Sequence, residues 1–396
     1  MRLEGGGCVS THAHMIYLDN HSTTICDYRV AEVIYSTLTE TYGNSSSTVH
    51  EIGDCANLAV KVATKKIARV IQASSQEIVF TSGATESITL GIKGTIRNLQ
   101  NADIKPHIAI ASSEHKAVLD TCQALKAQDK IKLTILSADS QAHLDLSTLE
   151  KICASDIHLL CIMAANNEVG TIYPVEKIAA IAQKHNVPFL CDATQAVGKI
   201  PIRFHDWGIT MLALSAHKLY GPKGVGALVV RKGHQLEPIM YGGGQQKGLR
   251  PGTLNVPGIV GLGEACRLRQ LEMVEDERAI ALKRDNLQTL LLQGIPGLVI
   301  NGDINNRLAG NLLISIPDVP NSAVIARVRH KLAISTGSAC TSGVEEPSHV
   351  LTAMGLAENV IEGSLRLGLG KFTTDEEVAT AAEILISEIK SIRELL

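Results

Sequence analysis

Cys340 lies in a run of small residues, Ser335-Thr336-Gly337-Ser338-Ala339-Cys340-Thr341-Ser342-Gly343. No side chain of this run is large enough to shield the thiol or to fill a core, and its glycines leave the backbone free to bend. Such a setting suits a reactive thiol on a mobile arm, where the thiolate would be the nucleophile. The alternative is a structural cysteine buried on a tight turn. The run by itself leaves both interpretations open.

Lys218 follows an apolar strand pattern, within the segment Ser215-Ala216-His217-Lys218-Leu219-Tyr220-Gly221-Pro222. The ends of strands are where α/β proteins place their ligands. A lysine at such a place is either an ordinary surface charge or a Schiff-base lysine. The second role requires partial desolvation, so that the amine is available as a nucleophile.

Asp192 ends the apolar run Val187-Pro188-Phe189-Leu190-Cys191. A carboxylate that closes a buried strand is costly unless a cation partners it. The protonated ring nitrogen of a pyridoxal cofactor would be such a partner, and the carboxylate would keep that ring an electron sink. The alternative is an aspartate that caps the next helix.

Three more polar segments follow predicted strands: Thr81–Ser87, Glu114-His115-Lys116 and Asn166–Gly170. The first offers hydroxyls and free amides for a phosphate, although many capped helices begin this way. His115 is either a proton shuttle that stacks on a ring or a structural histidine. Asn and Gly are also ordinary turn formers. Because parallel strands point their carboxyl ends to one edge of a sheet, we expect all these groups to converge.

The elements that must position these groups alternate between short apolar runs and amphipathic segments, which predicts a mostly parallel sheet covered on both faces. The predicted strands are Ile78–Phe80, His107–Ala111, Lys132–Leu136, Ile157–Met163, Pro188–Asp192, Met211–Ser215 and Ala227–Arg231. The predicted helices between them include Asn57–Gln72, Glu86–Leu99, Ala117–Ala127 and Val175–His185.

A long helical pattern over 257–293 changes this rhythm. The segments after it read as an α+β unit: Leu298–Asn301, Asn311–Ile316, a helix near Ser322–Lys331, a strand at Ser364–Leu369 and a helix from Asp375. We therefore predict a large domain over 26–270 and a smaller α+β domain from 1–25 plus 271–396, which the strand Met15–Leu18 joins. Residues 1–14 are predicted to be a loose extension.

Composition excludes several classes of protein. The 396 residues are 45% hydrophobic with 33 glycines, as in a globular α/β protein, and the net charge of −3 without a basic block argues against a stable nucleic-acid partner. No apolar stretch approaches the roughly 20 residues of a membrane span. The cysteine count of 9 is odd, no CxxC occurs and no signal peptide is recognisable, which favours the cytoplasm and argues against a structural zinc site.

The ordered motifs resemble those of the pyridoxal-phosphate cysteine desulfurases, in the fold-type I aminotransferase superfamily, from about Ile16 through Thr374. The motifs are Leu18-Asp19-Asn20, Tyr42-Gly43-Asn44, Ser82–Ser87, Glu114–Lys116, Asn166–Gly170, Cys191–Ala196, Ser215–Lys218, Arg250-Pro251-Gly252-Thr253, Gly337–Thr341 and Ser364-Leu365-Arg366. The resemblance implies a seven-stranded, mostly parallel sheet in the large domain. The long small-residue loop resembles that of the group serving iron–sulfur assembly and tRNA thiolation.

The resemblance also implies roles for the residues that would contact the cofactor. Lys218 would carry the pyridoxal phosphate and later move the α-proton, while Asp192 would pair with the pyridine nitrogen. Gln195 would bind the phenolic oxygen, His115 would stack on the ring, and Asn167 would orient cofactor and substrate. The phosphate would be held by Ala84, Thr85, Ser215 and His217, together with Thr253 of a neighbouring subunit, which implies a homodimer with shared sites.

For the substrate, the resemblance implies that Arg366 takes the carboxylate of L-cysteine and that Asn44 is a further contact. Cys340 would accept the sulfur as a persulfide, with alanine as the product, and the loop would carry it to an acceptor. That acceptor could be an iron–sulfur scaffold protein, a tRNA-modifying enzyme or a partner in DNA sulfur modification. Cys340 could also ligate an iron–sulfur cluster transiently, and no permanent metal is expected.

Four residues depart from the usual motifs: His21, Ser45, Ala216 and Pro251. None removes a group that the chemistry needs, although His21 could alter the substrate entrance. Two other functions remain open at this stage. One is a pyridoxal lyase or aminotransferase without sulfur transfer, which would not need Cys340. The other is a non-catalytic scaffold, which conflicts with the presence of Lys218.

Overall fold

The computed structural model describes residues 15–336 and 347–395, so the predictions on Cys340 and on residues 1–14 lie outside the described residues. The strands are β1 Ile16–Tyr17, β2 Ile78–Thr81, β3 His107–Ala111, β4 Lys132–Leu136, β5 Leu159–Met163, β6 Phe189–Asp192, β7 Met211–Ser215, β8 Gly226–Val230, β9 Val299–Asn301, β10 Asn311–Ser315, β11 Leu332–Ala333 and β12 Ser364–Gly368. The α-helices are α1 Tyr28–Thr39, α2 Glu51–Ile71, α3 Ala84–Asn101, α4 Lys116–Ala127, α5 Leu146–Cys153, α6 Val175–Lys184, α7 Val256–Gly294, α8 Asn321–Val328, α9 His349–Ala353, α10 Glu358–Glu362 and α11 Asp375–Arg393.

A seven-stranded sheet in the order β2-β8-β7-β6-β5-β3-β4 forms the larger core. Strand β8 pairs antiparallel with both of its neighbours, and the other pairs are parallel. The predicted seven-stranded, mostly parallel sheet is therefore confirmed. Strands β5, β6 and β7 are buried along their whole length, which explains why they are apolar on both faces rather than alternating.

The six strands that run in the same direction end at one edge of this sheet, which places the loops after β2, β3, β5, β6 and β7 next to one another. These loops carry the polar segments that the sequence singles out. Because the sheet is covered by helices, its carboxyl edge is where polar side chains can meet without burial in the core.

A second core lies on a three-stranded antiparallel sheet in the order β12-β10-β9, packed against helices that include α8 and α11. Strand β1 pairs parallel with β11, and Ile16 and Leu18 belong to this second core. Helix α7 contributes Ile259 and Leu262 to the larger core and Leu287 and Leu291 to the second. The domain boundary at 270/271 stays a prediction.

Helices α1 and α5 were not predicted from the sequence. Each begins at an aspartate cap, Asp27 or Asp145, whose side chain accepts backbone N–H groups of the first turn. Helix α1 leaves Tyr35 and Leu38 exposed, so its apolar residues do not mark one buried face. Within the described residues, no helix is long and apolar enough to cross a membrane.

Candidate active site

A cavity of about 1140 Å³ opens at the carboxyl edge of the large sheet. Side chains from both cores line it, because β12 brings Arg366 to the same space as the loops of the large sheet. The predicted site residues that line it are Ala84, Thr85, His115, Asn167, Asp192, Gln195, Ser215, His217, Lys218 and Arg366. The structure therefore brings most of the predicted site together.

Lys218 ends a short 3₁₀ turn that follows β7. Its Nζ donates hydrogen bonds to the carbonyl oxygens of His21 and Ser22, both at 2.6 Å. Burial, and then the positive charges of Lys199 and Arg366, lower the pKa of this amine to about 7. An amine with such a pKa is available as a nucleophile or base near neutral pH.

Asp192 ends β6 and Gln195 lies on the loop that follows it, and both line the cavity. Asp192 is buried, and its Oδ1 accepts the N–H of Thr194 at 3.0 Å, a local turn bond that leaves the carboxylate in the cavity wall. The Nε2 of Gln195 donates to the carbonyl of His21 at 2.9 Å. Its Oε1 accepts from Lys199 at 2.8 Å.

His115 caps helix α4, because its Nδ1 accepts the N–H of Ala117 at 3.0 Å. The neutral ring therefore carries its proton on Nε2. Burial lowers the pKa of His115, Asp192 opposes that shift, and Lys218 adds to it. The residue lines the cavity as a neutral imidazole with an N–H to donate.

The start of α3 forms a cradle for an anion. Ser82, Gly83, Ala84 and Thr85 line the cavity where the first amides of this helix are free, and a Cβ at Gly83 would lie 3.7 Å from Oγ of Ser215. The positive end of an 18-residue helix favours an anion there. His217 also lines the cavity, and burial together with Lys218 lowers its pKa to about 4, so this ring is neutral at pH 7.

Arg366 is buried at 6% exposure, and its guanidinium is only partly paired. Its Nη1 donates to the carbonyl of Asn167 at 3.0 Å, and its Nη2 donates to Oγ of Ser22 at 2.6 Å and to Asp19 at 3.2 Å. Its Nε is buried without a partner among the described residues. A guanidinium with an unused donor beside a cavity suits a carboxylate ligand.

Three polar residues close to this site were not predicted as functional. Glu114 is fully buried, its Oε1 accepts the N–H of Met163 at 2.7 Å, and its Oε2 has no partner within residues 15–336 and 347–395. Burial, and then the charge of Asp192, raise the pKa of Glu114 well above its usual value. Nε2 of His349 donates a hydrogen bond to the backbone carbonyl oxygen of Glu114 at 2.9 Å, because that oxygen can only accept. Lys199 is the third, and only its burial beside Gln195 could have revealed it.

Two predicted site residues are not among those that line this cavity. Asn44 is exposed on a turn, where its Oδ1 accepts the N–H of Ser46 at 2.9 Å. Thr253 lies on a segment tied to the start of α3 by Arg250, whose Nε is 2.7 Å from Oε1 of Glu86. Cys340 lies outside the described residues.

His21, the departure at the substrate entrance, lies inside the molecule instead. Its side chain is 3% exposed and lines the cavity, and burial lowers its pKa well below the usual value. Its main contribution is the carbonyl oxygen that accepts from both Lys218 and Gln195. In the described part of the chain, no group of three His, Cys, Asp or Glu side chains could hold a metal ion.

The sequence and the fold are both similar to those of known proteins. Residues 16–380 match the family model for class-V aminotransferases. A "Cysteine desulfurase IscS" of Anaeromyxobacter sp. (strain Fw109-5) is 43% identical over 383 residues, which are 96% of this chain and 94% of that protein. A "Cysteine desulfurase, mitochondrial" of Arabidopsis thaliana is 41% identical, over 96% of this chain and 83% of that one. The solved structure of a "NifS-like protein" superposes with a TM-score of 0.88 at 36% identity, over 96% of this chain and 100% of that chain.

Proposed function

This chain belongs to the class-V aminotransferase family and is a pyridoxal-phosphate-dependent cysteine desulfurase, and from that premise we propose that it moves the sulfur of L-cysteine onto Cys340 and releases L-alanine. One observation carries the assignment of the site. Lys218, Asp192 and Arg366 lie on three different strands or the turns that follow them, and all three line one cavity.

The residues of this cavity fit pyridoxal phosphate. Asp192 would hold the protonated ring nitrogen, Gln195 would donate to the phenolic oxygen, and His115 would lie against the ring. The start of α3 would take the phosphate through its free amides, helped by Ser215. When bound, the cofactor supplies an electron sink for the charge that remains after the α-proton leaves the amino acid.

The protein side chains would position the substrate and handle its protons. Arg366 would bind the carboxylate through its guanidinium, whose planar set of N–H donors a lysine could not reproduce. Lys218 would take the α-proton, since its pKa of about 7 leaves a sizeable neutral fraction at physiological pH. His115, with its proton on Nε2, would favour the Cys340 thiolate by donating a hydrogen bond to the sulfur.

The sulfur step balances without an external oxidant. The Cys340 thiolate attacks the sulfur of the substrate, so that an S–S bond forms and the bond between Cβ and sulfur breaks. The electron pair of the broken bond stays with the carbon skeleton, which is protonated and leaves as alanine. The enzyme retains a persulfide on Cys340.

The persulfide sulfur would pass to an acceptor for iron–sulfur cluster assembly or for thiolation of tRNA or other products. The acceptor would be an iron–sulfur scaffold protein or a tRNA-modifying enzyme, with no stable nucleic-acid or membrane partner. The cysteines in the described ranges are free thiols, which supports a reducing compartment, and we place the protein in the cytoplasm.

A homodimer with shared sites is the second part of the proposal. Thr253 follows Arg250, which pairs with Glu86 in the first turn of α3, but Thr253 does not line the cavity of its own chain. Large apolar side chains are exposed on and near α1 and α2, among them Tyr35 at 69%, Val49 at 89% and Leu58 at 62%. An exposed apolar surface of this kind is typical of an interface, and a second copy of the chain would cover it.

The proposal is tested with Cys340→Ala and Lys218→Ala, each compared with the wild type. In Cys340→Ala we expect the visible absorption of the bound cofactor to remain, while alanine release from L-cysteine falls by a factor of about 10³ or more. In Lys218→Ala we expect that visible absorption to change and alanine release to cease, because the covalent attachment point is gone.

Two results would overturn these assignments. Alanine release near the wild-type rate in Cys340→Ala would favour a lyase or aminotransferase that has no use for this thiol. An unchanged absorption spectrum in Lys218→Ala would remove Lys218 as the attachment point of the cofactor. Ser342→Ala is the matched control for the first variant, because it changes a small residue of the same run and removes no thiol.

A further inference from the structure

Lys199 lies outside the set of described residues that line the cavity, yet a continuous chain of hydrogen bonds joins it to Lys218. Its Nζ donates to Oε1 of Gln195 at 2.8 Å, and Nε2 of the same amide donates to the carbonyl of His21 at 2.9 Å. That carbonyl also accepts from Nζ of Lys218 at 2.6 Å. Lys199, Gln195, the His21 carbonyl and Lys218 thus form one continuous series of hydrogen bonds.

The two ends of the chain fix the orientation of the Gln195 amide. An ammonium group can only donate, so Oε1 must face Lys199, and a carbonyl oxygen can only accept, so Nε2 must face His21. The second hydrogen of Nε2 is then left for the cavity, which Gln195 lines. In the flipped amide, an acceptor would face the cavity and the ammonium of Lys199 would meet an N–H group.

Lys199 also adds positive charge behind Lys218. The charged groups that face Lys199 are Glu277 and Arg269 of α7 and Arg366 of β12. Glu277 lies 2.7 Å from Nη2 of Arg269, so its charge is already shared with that guanidinium. Burial lowers the pKa of Lys199 to about 8.

The charged groups that face Lys218 itself have mixed effects. Lys199 and Arg366 lower its pKa, whereas Asp19 and Asp192 raise it. Since Asp19 already pairs with Arg366 at 3.2 Å, Lys199 is the cation near Lys218 whose loss would leave that pair intact. The effect of Lys199 can therefore be tested separately.

We propose that Lys199 is a positioning residue, which holds the Gln195 amide with its N–H toward the ring oxygen of the cofactor and keeps positive charge beside Lys218. This inference rests on the proposed function, because it assumes that pyridoxal phosphate occupies the cavity. It assigns a role in cofactor binding to a side chain that does not touch the cofactor.

The test is a pH titration of the visible absorption of the holoenzyme, in wild type, Lys199→Met and Lys199→Arg, with Lys177→Met as a control at an exposed position on α6. In Lys199→Met we expect the titration midpoint to rise by about one pH unit, because a nearby cation is lost and the phenolate of the cofactor loses a well-oriented donor. The dissociation constant of pyridoxal phosphate from the same variant should rise about tenfold. Lys199→Arg should stay close to wild type, since it retains the charge and the donor.

The outcomes separate this inference from the proposed function. A wild-type protein without a pyridoxal absorption band would overturn the proposed function and the inference together. A normal wild-type band with an unchanged midpoint and dissociation constant in Lys199→Met would overturn the inference alone. If Lys199→Met is poorly folded, the same comparison is made with Lys199→Gln, whose unshifted midpoint would also count against the role of the charge.

Discussion

Glu114 is a carboxyl group at 0% exposure, one residue before His115 and close enough to Asp192 to feel its charge. One of its oxygens is satisfied by the N–H of Met163, and the other has no partner in the part of the chain that the structure describes. Its pKa is raised in the folded protein, so the folded state binds the proton more tightly than the unfolded chain does. The contribution of Glu114 to the free energy of unfolding is therefore fully present below the pKa of this group in the unfolded chain. It is lost as the pH rises from that value through the higher pKa of the group in the folded protein.

Glu114→Gln should remove this pH dependence while it keeps the oxygen that accepts from Met163. We expect the free energy of unfolding of the variant, relative to wild type, to increase between pH 5 and pH 8, by at most about 1.4 kcal/mol for each pH unit. Urea unfolding at several pH values measures the difference, with Glu176→Gln on the exposed face of α6 as control. A difference that does not change with pH would mean that Glu114 is not protonated in the folded protein.

Helix α7 joins the two cores, and it carries a buried network of charged side chains centred on Arg269. Arg269 is 1% exposed, its Nε donates to the carbonyl of Gly198 at 2.7 Å, and its Nη2 pairs with Glu277 at 2.7 Å. It also pairs with Asp276 and lies over the ring of Tyr220 at 5.4 Å. A buried ion pair contributes little more to stability than well-packed apolar residues would. Removal of one partner is strongly destabilising, because it leaves the other charge buried without compensation.

Arg269→Met should therefore lower the free energy of unfolding by about 3 kcal/mol, because Glu277 and the Gly198 carbonyl lose their partner. Arg278→Met, at an exposed position on the same helix, should change it by less than about 0.5 kcal/mol. Urea unfolding midpoints compare the two variants. The double variant Arg269→Met/Glu277→Gln should recover part of the loss, and equal midpoints for the two single variants would contradict this account.

How far the elements could be predicted depended on where they lie in the sheet. The strands His107–Ala111, Lys132–Leu136 and Met211–Ser215 were predicted residue for residue. The first and third are buried apolar runs with clear ends, whereas Lys132–Leu136 is a partly exposed edge strand whose first four residues alternate between polar and apolar. The same rule, that ligand groups follow the ends of predicted strands, located most of the residues that line the cavity. It could not locate Glu114 or Lys199 as partners of the site, since their burial and hydrogen bonds depend on contacts that local sequence does not show.

At the scale of the whole molecule, sites shared between two subunits predict that two inactive variants regain activity when they form mixed dimers. Lys218→Ala and Thr253→Val are each expected to lose activity at limiting pyridoxal phosphate. In a mixed dimer, one site would combine Lys218 of one chain with Thr253 of the other, and about a quarter of all sites would be intact after full exchange. Alanine release by the exchanged mixture measures the recovery, and sedimentation of the wild type measures the oligomeric state.

The mixture distinguishes the possible arrangements. If Thr253 served the cavity of its own chain, every site in every mixed dimer would carry one of the two defects and no activity would return. A wild-type protein that sediments as a monomer would contradict the dimer directly. The exposed apolar side chains of α1 and α2 would then need another partner.

The turn after β1 is synthesised long before the residues that it binds. Its residues accept the hydrogen bonds of Lys218 across 197 positions and bind Arg366 across 344 positions of the chain. At a synthesis rate of about 5–20 residues per second, Ser22 waits tens of seconds on the ribosome before Arg366 exists. The strand that precedes Ser22 also lacks its partner β11 during that time. A complete pocket for the substrate therefore forms only after Arg366 has been synthesised, and a chain that terminates before this residue cannot form it.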